Sequence, residues 1–501
     1  MLGIFILIGL TVYFLYYHLV QKRAGLPPGP TPIPFVGNAL QLDPKDLSKA
    51  FVDWSKTYGP IFTVWLPEPN VFVTDFQLMK KYFVNKGELF AGRFRNFVFD
   101  FFSNGNYGIL VSDGDLWKEQ RRFGLHVLRD FGFGRSEMEQ KVRAQADELV
   151  EHIAELLQGQ KSGVVELKRP LELCVANVIN ALTFGYVYKR GADERLFEIK
   201  WYMEQNIKLL SRPEVMILGA YPWLRNIPLF GNFGLRAMKE QLDGMLAFVV
   251  EELKQHRAKF DPDGEPGDYM DAFLKEMHRR KEAGEPEGSF SEWQLLCAIV
   301  DLWGAGMETT QTTLKWGMLY MLHYPQVQTK CRQEIQALMA GRSSHVIQMA
   351  DRNSLPYTAA TLNEIQRMAN LVPINLQHAV TEDTQLEGFH LPKGTIVVPQ
   401  ISAVLKDEKI FPEPDKFQPE RFLEADGKSL KKVEELVPFS LGKRQCMGES
   451  LARMELFLIF ATLIHKFRFS NPPGRPLPTL EAQQGLTRVP YDYEVMAEVL
   501  E

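Results

Sequence analysis

Phe439-Ser440-Leu441-Gly442-Lys443-Arg444-Gln445-Cys446-Met447-Gly448 is the stretch on which the reading of this chain turns. Cys446 stands in a loop flanked by Gly442 and Gly448. From Glu449 the pattern of Leu451, Ala452, Met454, Leu456 and Phe457 becomes helical. The thiol therefore precedes a helix N-terminus, where the dipole favours an anion. Lys443 and Arg444 add positive charge, and together these effects lower a thiol pKa. The two glycines remove Cβ atoms where a flat ligand would need close backbone approach. Cys174, Cys297 and Cys331 are scattered and form no CxxC pair. Four such cysteines make neither a disulfide framework nor a zinc knuckle. The three others read as buried free thiols, and the body of the chain as reduced and cytosolic.

The totals agree with a large globular enzyme-sized body. Of 501 residues, 45% are hydrophobic and 24% charged, which excludes disorder. A net charge of −5 without a long basic run gives no reason to expect a nucleic-acid partner. Met1 to Val20 contains no Asp, Glu, Lys or Arg. As a helix it would span about 30 Å, one hydrocarbon thickness. Lys22 and Arg23 follow it, and no small-residue cleavage site ends it, so residues 1–23 read as a retained transmembrane anchor. The positive-inside rule puts the remainder on the cytosolic side. In residues 24–38, Pro27, Pro28, Pro30, Pro32 and Pro34 demand an extended, stiff hinge. Residues 39–501 then form one domain.

That domain reads as mainly α with a small β portion. Ile61–Trp65 and Val71–Thr74 flank Pro67-Glu68-Pro69-Asn70 as a hairpin. Thr384–His390 and Thr395–Pro399 read as a second β pair. Helical spacing marks Glu137–Leu157, Leu235–Lys259, Asp268–Arg280, Glu292–His323, Pro325–Leu338 and Tyr357–Met368. The Glu292–His323 helix would be about 48 Å long. Ala305-Gly306-Met307-Glu308-Thr309-Thr310 should interrupt it. Gly304 and Gly306 weaken a helix, and Thr309 can bond a carbonyl one turn back to open a polar notch. A carboxylate beside a hydroxyl in an apolar helix is costly, which points to proton handling by Glu308 and Thr309. Glu364 and Arg367 share a helix face at i,i+3.

These motifs, in this order, resemble the cytochrome P-450 family. The Phe439–Gly448 stretch matches every fixed position of its haem signature FxxGxRxCxG. Thiolate ligation of haem iron is a known property of that family, and it comes to Cys446 through the resemblance alone. Ala305–Thr310 resembles its oxygen-activation motif, and Glu364-Ile365-Gln366-Arg367 with Phe417–Phe422 resembles its ExxR helix and the later arginine, Arg421, that joins it. The resemblance implies the cytochrome P-450 fold with an N-terminal transmembrane helix, haem b, and Cys446 as axial ligand. It implies Trp117 and Arg121 at a propionate, with Arg93, His378 and Arg444 beside them and Phe439 opening the signature. It implies a pocket drawn from 96–108, 201–233, 302–305, 371–377 and 484–487. Asn375 and Gln377 are polar departures in a loop that lines the pocket in relatives.

The hinge and the 117–123 run look most like the animal microsomal branch. That branch implies an endoplasmic reticulum membrane, an apolar xenobiotic, fatty acid or steroid, O2, an NADPH-cytochrome P-450 reductase, and cytochrome b5 as accessory donor. Arg122, Arg129, Lys432 and Lys443 are the basic candidates for reductase docking. The rival reading is a haem-thiolate peroxide isomerase or dehydratase without a reductase, against which Glu308 and Thr309 argue. Deleting residues 1–23 should release the protein from membranes while preserving its haem spectrum; a lost spectrum would show that the segment does more than anchor.

Overall fold

The computed structural model describes residues 2–500 except 44, 132–135, 211, 228–234, 343–345, 484 and 486. The first helix, Leu2–Leu19, is apolar and leaves Ile4, Phe5, Leu7, Leu10 and Val12 exposed. It is long and apolar enough to cross a membrane. The proline stretch after it is extended but not free. Thr63 donates from its N–H to Pro28 O at 2.8 Å and from its hydroxyl to Pro27 O at 2.9 Å. Asn38 donates to the Thr31 carbonyl and accepts from Trp65 N–H at 2.8 Å. Proline lacks the N–H that would form a regular ladder, so the first strand and Asn38 reach across to its carbonyls instead.

Helices dominate, and the Glu292–His323 helix runs through their middle with the bounds expected from its spacing. Ser291 caps it by accepting from Gln294 N–H, and Pro325 opens the next helix. Contrary to expectation the helix is unbroken from Glu292 to His323. Gly304 and Gly306 serve packing instead. A Cβ at Gly304 would strike the Met203 methyl, and one at Gly306 would strike Ile179. The central helix packs on Lys168–Thr183, Pro356–Ala369 and Glu449–Lys466.

A five-stranded sheet stands to one side, in the order Ile61–Leu66, Glu68–Val73, Ile396–Pro399, His378–Ala379, Gly92–Arg93. The first hairpin turns more tightly than expected. Leu66 faces Glu68, so Pro69 and Asn70 belong to the strand. The second expected β pair does not form. Thr384–Leu386 and Phe389–Leu391 make their own hairpin around Glu387-Gly388, and Ile396–Pro399 joins Glu68–Val73 in parallel. Hydrophobic Ile396 to Val398 thereby becomes a central strand, buried throughout. The register sets Arg93 opposite His378.

Beneath these layers lies a buried ion network. Arg367 grips Glu364 bidentately at 2.7 and 2.9 Å, both side chains almost fully buried. Arg421 adds 3.1 Å to the same carboxylate, and Gln418 N–H donates to it at 2.8 Å. Glu364→Ala would leave two guanidinium groups without their anion, so the variant should lose about 3–5 kcal/mol, read as a lowered urea midpoint.

Candidate functional site

The Cys446 loop is built by close backbone contacts. Gly442 adopts φ +78° and opens one turn of 3₁₀ helix, Gly442–Arg444. A Cβ there would run into the Phe83 carbonyl, so this glycine is required by the protein's own packing. A Cβ at Gly448 would meet only ordinary contact with the Cys446 sulfur. Cys446 N–H donates to Phe439 O at 3.1 Å, closing the loop. Asn375 ties in from outside, donating to Ser440 Oγ at 2.9 Å and to Pro399 O at 3.1 Å. Gln377 donates to Asn70 Oδ1 at 3.0 Å. Both polar departures therefore brace the scaffold, a role no sequence signal revealed.

Cys446 is the one exposed cysteine among the four; Cys174, Cys297 and Cys331 are buried, and all four are free. Burial and the Glu449 carboxylate push the Cys446 thiol above its ordinary value, against the lowering expected from the sequence; the N–H groups of Gly448 and Glu449 at the helix start and the Arg121 guanidinium offset this only in part. The expected helix effect is present, but the expected cations are not its source. Lys443 pairs with Glu88 at 2.9 Å. Arg444 turns away to donate to Ala91 O at 2.7 Å and Ser112 O at 2.9 Å. Arg121 takes their place, donating to Gln445 O at 2.6 Å.

The residues expected around an anionic group do converge. Arg444 stacks over the Trp117 ring at 3.5 Å from its centroid, and Arg121 lies 5.8 Å from the same ring. Arg93 donates to Leu110 O at 3.1 Å. Burial pushes Arg93 down to about 10 and Arg444 down to about 8, and repulsion among Arg93, Arg121 and Arg444 adds to both shifts. Asp113, 3.5 Å from Arg444, opposes both shifts. Arg444 Nη1 is buried without a hydrogen-bond partner among the described residues. Crowded guanidinium groups with one carboxylate and an orphaned N–H suit a ligand bearing carboxylates. His378 is also present, but its Nδ1–H donates to Phe90 O at 2.7 Å. Burial and the neighbouring arginines hold it neutral, so it faces the cluster without a charge. Phe439 stacks under Arg453 at 4.9 Å.

On the central helix the Thr309 hydroxyl donates to Ala305 O at 2.8 Å, and Thr313 repeats the bond to Thr309 O. Burial lifts the Glu308 carboxyl above its usual range. It accepts from Gln311 Nε2 at 2.5 Å and Thr312 Oγ1 at 3.4 Å, and thus does not engage Thr309 directly. Three further residues of this helix were missed. Asp301 accepts the Ile109 and Leu110 N–H groups at 2.7 and 2.9 Å, and burial lifts its carboxyl to about 6. Gln294 exchanges hydrogen bonds with Gly108, and Trp293 donates to Ser103 O. They pin the expected 96–108 segment to the helix. An Asp inside an apolar helix was the available signal. Of the other pocket segments, 211, 228–233, 484 and 486 lie outside the described residues.

A family model described as cytochrome P-450 matches residues 27–497. The chain belongs to the cytochrome P-450 family. It is similar to the probable cytochrome P-450 CYP36A1 of Caenorhabditis elegans, 36% identical over 95% of each chain. It is equally similar to cytochrome P-450 2C5 of Oryctolagus cuniculus, 36% identical over 94% of each. Cytochrome P-450 2C8 of Homo sapiens is 36% identical over 95% of this chain and 94% of its own. This cytochrome P-450 is accordingly a haem-thiolate monooxygenase using haem b. The free, exposed thiol and the guanidinium cluster with its unpartnered N–H fit that cofactor.

Proposed function

We propose that this cytochrome P-450 inserts one atom of O2 into an apolar small molecule of xenobiotic, fatty-acid or steroid type at the endoplasmic reticulum membrane. The observation that carries the reading is the free, exposed Cys446 thiol at a helix start, with Arg93, Arg121 and Arg444 crowded beside its loop. Cys446 would hold the haem iron through its thiolate, and Arg121, Arg444, Arg93 and Trp117 would hold the propionates. Haem b, when bound, supplies the redox chemistry on O2. His378 would need a second proton, on Nε2, to donate to a carboxylate.

The chain's own residues would then handle protons. A Glu308 carboxyl lifted by burial exchanges protons nearer neutral pH than an exposed glutamate does. Thr309 can turn its hydroxyl from Ala305 O toward the pocket without breaking the helix ladder. The apolar Leu2–Leu19 helix would hold the body at the membrane, with Lys22 and Arg23 on the cytosolic side.

A cleft of about 700 Å³ beside the Cys446 loop is lined by Lys118, Arg121, Arg122, Arg129, Arg280 and Lys443 against the acidic Glu88, Glu119 and Glu276, a net positive balance. Its charge suits an acidic electron donor such as an NADPH-cytochrome P-450 reductase or cytochrome b5. Lys432 is exposed outside that cleft and is the weaker docking candidate.

Reduced protein with CO should show the red-shifted Soret band of thiolate ligation; an unshifted band in folded protein would remove Cys446 from the role. Thr309→Ala should keep haem but divert NADPH-derived electrons to hydrogen peroxide several-fold more than wild type. Unchanged peroxide yield would take Thr309 out of the mechanism. Turnover of a lipid hydroperoxide without NADPH would favour the isomerase reading instead.

A further inference from the structure

The Pro356–Ala369 helix stops at Asn370, which takes a left-handed conformation at φ +41° and donates its N–H to Gln366 O at 3.3 Å. A helix end leaves its last carbonyls without partners. The Asn370 side chain does not help: it is buried, and neither polar atom has a hydrogen-bond partner among the described residues. The Met368 and Ala369 carbonyls are met from another part of the chain. Arg488 Nη1 donates to both, at 3.0 and 2.9 Å. The Arg488 N–H also donates to Leu371 O at 2.9 Å. A cation at a helix C-terminus is favoured by the dipole as well.

Arg488 is itself fixed to the central helix. Trp316, fully buried, donates its Nε1–H to Arg488 O at 2.8 Å, and the guanidinium lies 5.4 Å from the centre of its ring. Trp316 and Thr309 are about two turns apart, roughly 10 Å, and share one face of that helix. The stretch that follows Asn370 therefore starts against the face carrying Thr309. It ends at the loop carrying Cys446, where Asn375 donates to Ser440 Oγ at 2.9 Å. Its middle is held from the sheet side, by Gln400 and Ser402 on Pro373 O at 2.5 and 3.1 Å. Arg488 supplies the link to the central helix. It forms no salt bridge among the described residues, and its Nε is buried without a partner.

We propose that Arg488 is a positioning residue for the substrate: it sets how far the 371–375 stretch stands from the Thr309 face of the central helix, and so shapes the space beside the haem. This role rests on the reading of 371–377 as a pocket wall. One nitrogen meets both carbonyls, and Nε meets nothing. The requirement is thus a donor with two hydrogens at the end of a long side chain. An ammonium meets it and a thioether does not. Without the donor, two partly buried carbonyls lose their partners, and the start of the stretch must move to regain them from water.

The test titrates the full-length ferric holoenzyme with imidazole and with 4-phenylimidazole, following the Soret shift of nitrogen ligation. Imidazole reads the iron alone; the phenyl ring reads the wall beside it. Arg488→Met should leave the imidazole Kd unchanged and move the 4-phenylimidazole Kd about tenfold, the size of one altered packing contact in a pocket. Arg488→Lys should keep both values at wild type. Should Arg488→Met yield no holoenzyme, Trp316→Phe, which removes the Nε1–H and keeps a ring, is read by the same ratio. A role confined to stability would lower the melting temperature and leave the ratio of the two Kd values unmoved, which would overturn the proposal. Loss of the ratio in Arg488→Lys would overturn it as well. Leu376, exposed on the same stretch, separates the two readings. If Leu376→Phe leaves the 4-phenylimidazole Kd unmoved, 371–377 is no pocket wall. If Leu376→Phe shifts it and Arg488→Met does not, the role of Arg488 alone fails.

Discussion

The bidentate pair between Glu364 and Arg367 is the interaction on which the arrangement of the Cys446 side rests. One carboxylate, wholly out of water, receives two guanidinium groups and a backbone N–H. Arg367 also donates to Leu405 O at 2.9 Å, and Arg421 to Pro412 O at 3.0 Å. Irregular chain between 405 and 421 is thereby tied to a helix, where its carbonyls would otherwise be unmet. Buried charges are costly without partners, so the network tolerates no partial assembly. That constraint gives the loop leading toward Cys446 a rigid base although it has little regular structure.

Buried charge recurs on the central helix with the opposite consequence. Around Glu364 the charges are locked by short bidentate bonds. Around Glu172 they are shared between helices: it takes Lys200 and Lys315, and Lys200 also pairs with Glu204, partly in water. A carboxylate whose partners come from separate elements can change its protonation when those elements shift.

The cluster of Arg93, Arg121 and Arg444 illustrates a third use of burial. Its members repel one another and are desolvated, yet the sheet register, the Trp117 ring and three backbone carbonyls hold them together. Such an arrangement is unfavourable alone and becomes favourable with an anionic ligand.

The amino-acid order alone determined the family and the long helix, and it set Cys446 apart from the other three cysteines. These are local: a spacing of motif residues, a 3.6-residue period, and a lone Cys between glycines. It also marked Glu364, Arg367 and Arg421, because an i,i+3 charge pair and a later arginine are visible in one dimension. Tertiary structure alone decided which cation serves which group. Lys443 and Arg444 adjoin Cys446 in sequence, but Glu88, Ala91 and Ser112 claim them, and Arg121 comes in from a distant helix. Gly304 and Gly306 looked like helix breaks and proved to be contact points for Met203 and Ile179. Strand pairing of Ile396–Pro399 and the Lys200–Glu172–Lys315 cluster were equally invisible. The physical reason is common to all of these. A charge or a strand edge is satisfied by whatever group lies nearest in space, and sequence neighbours have no priority once the chain is folded.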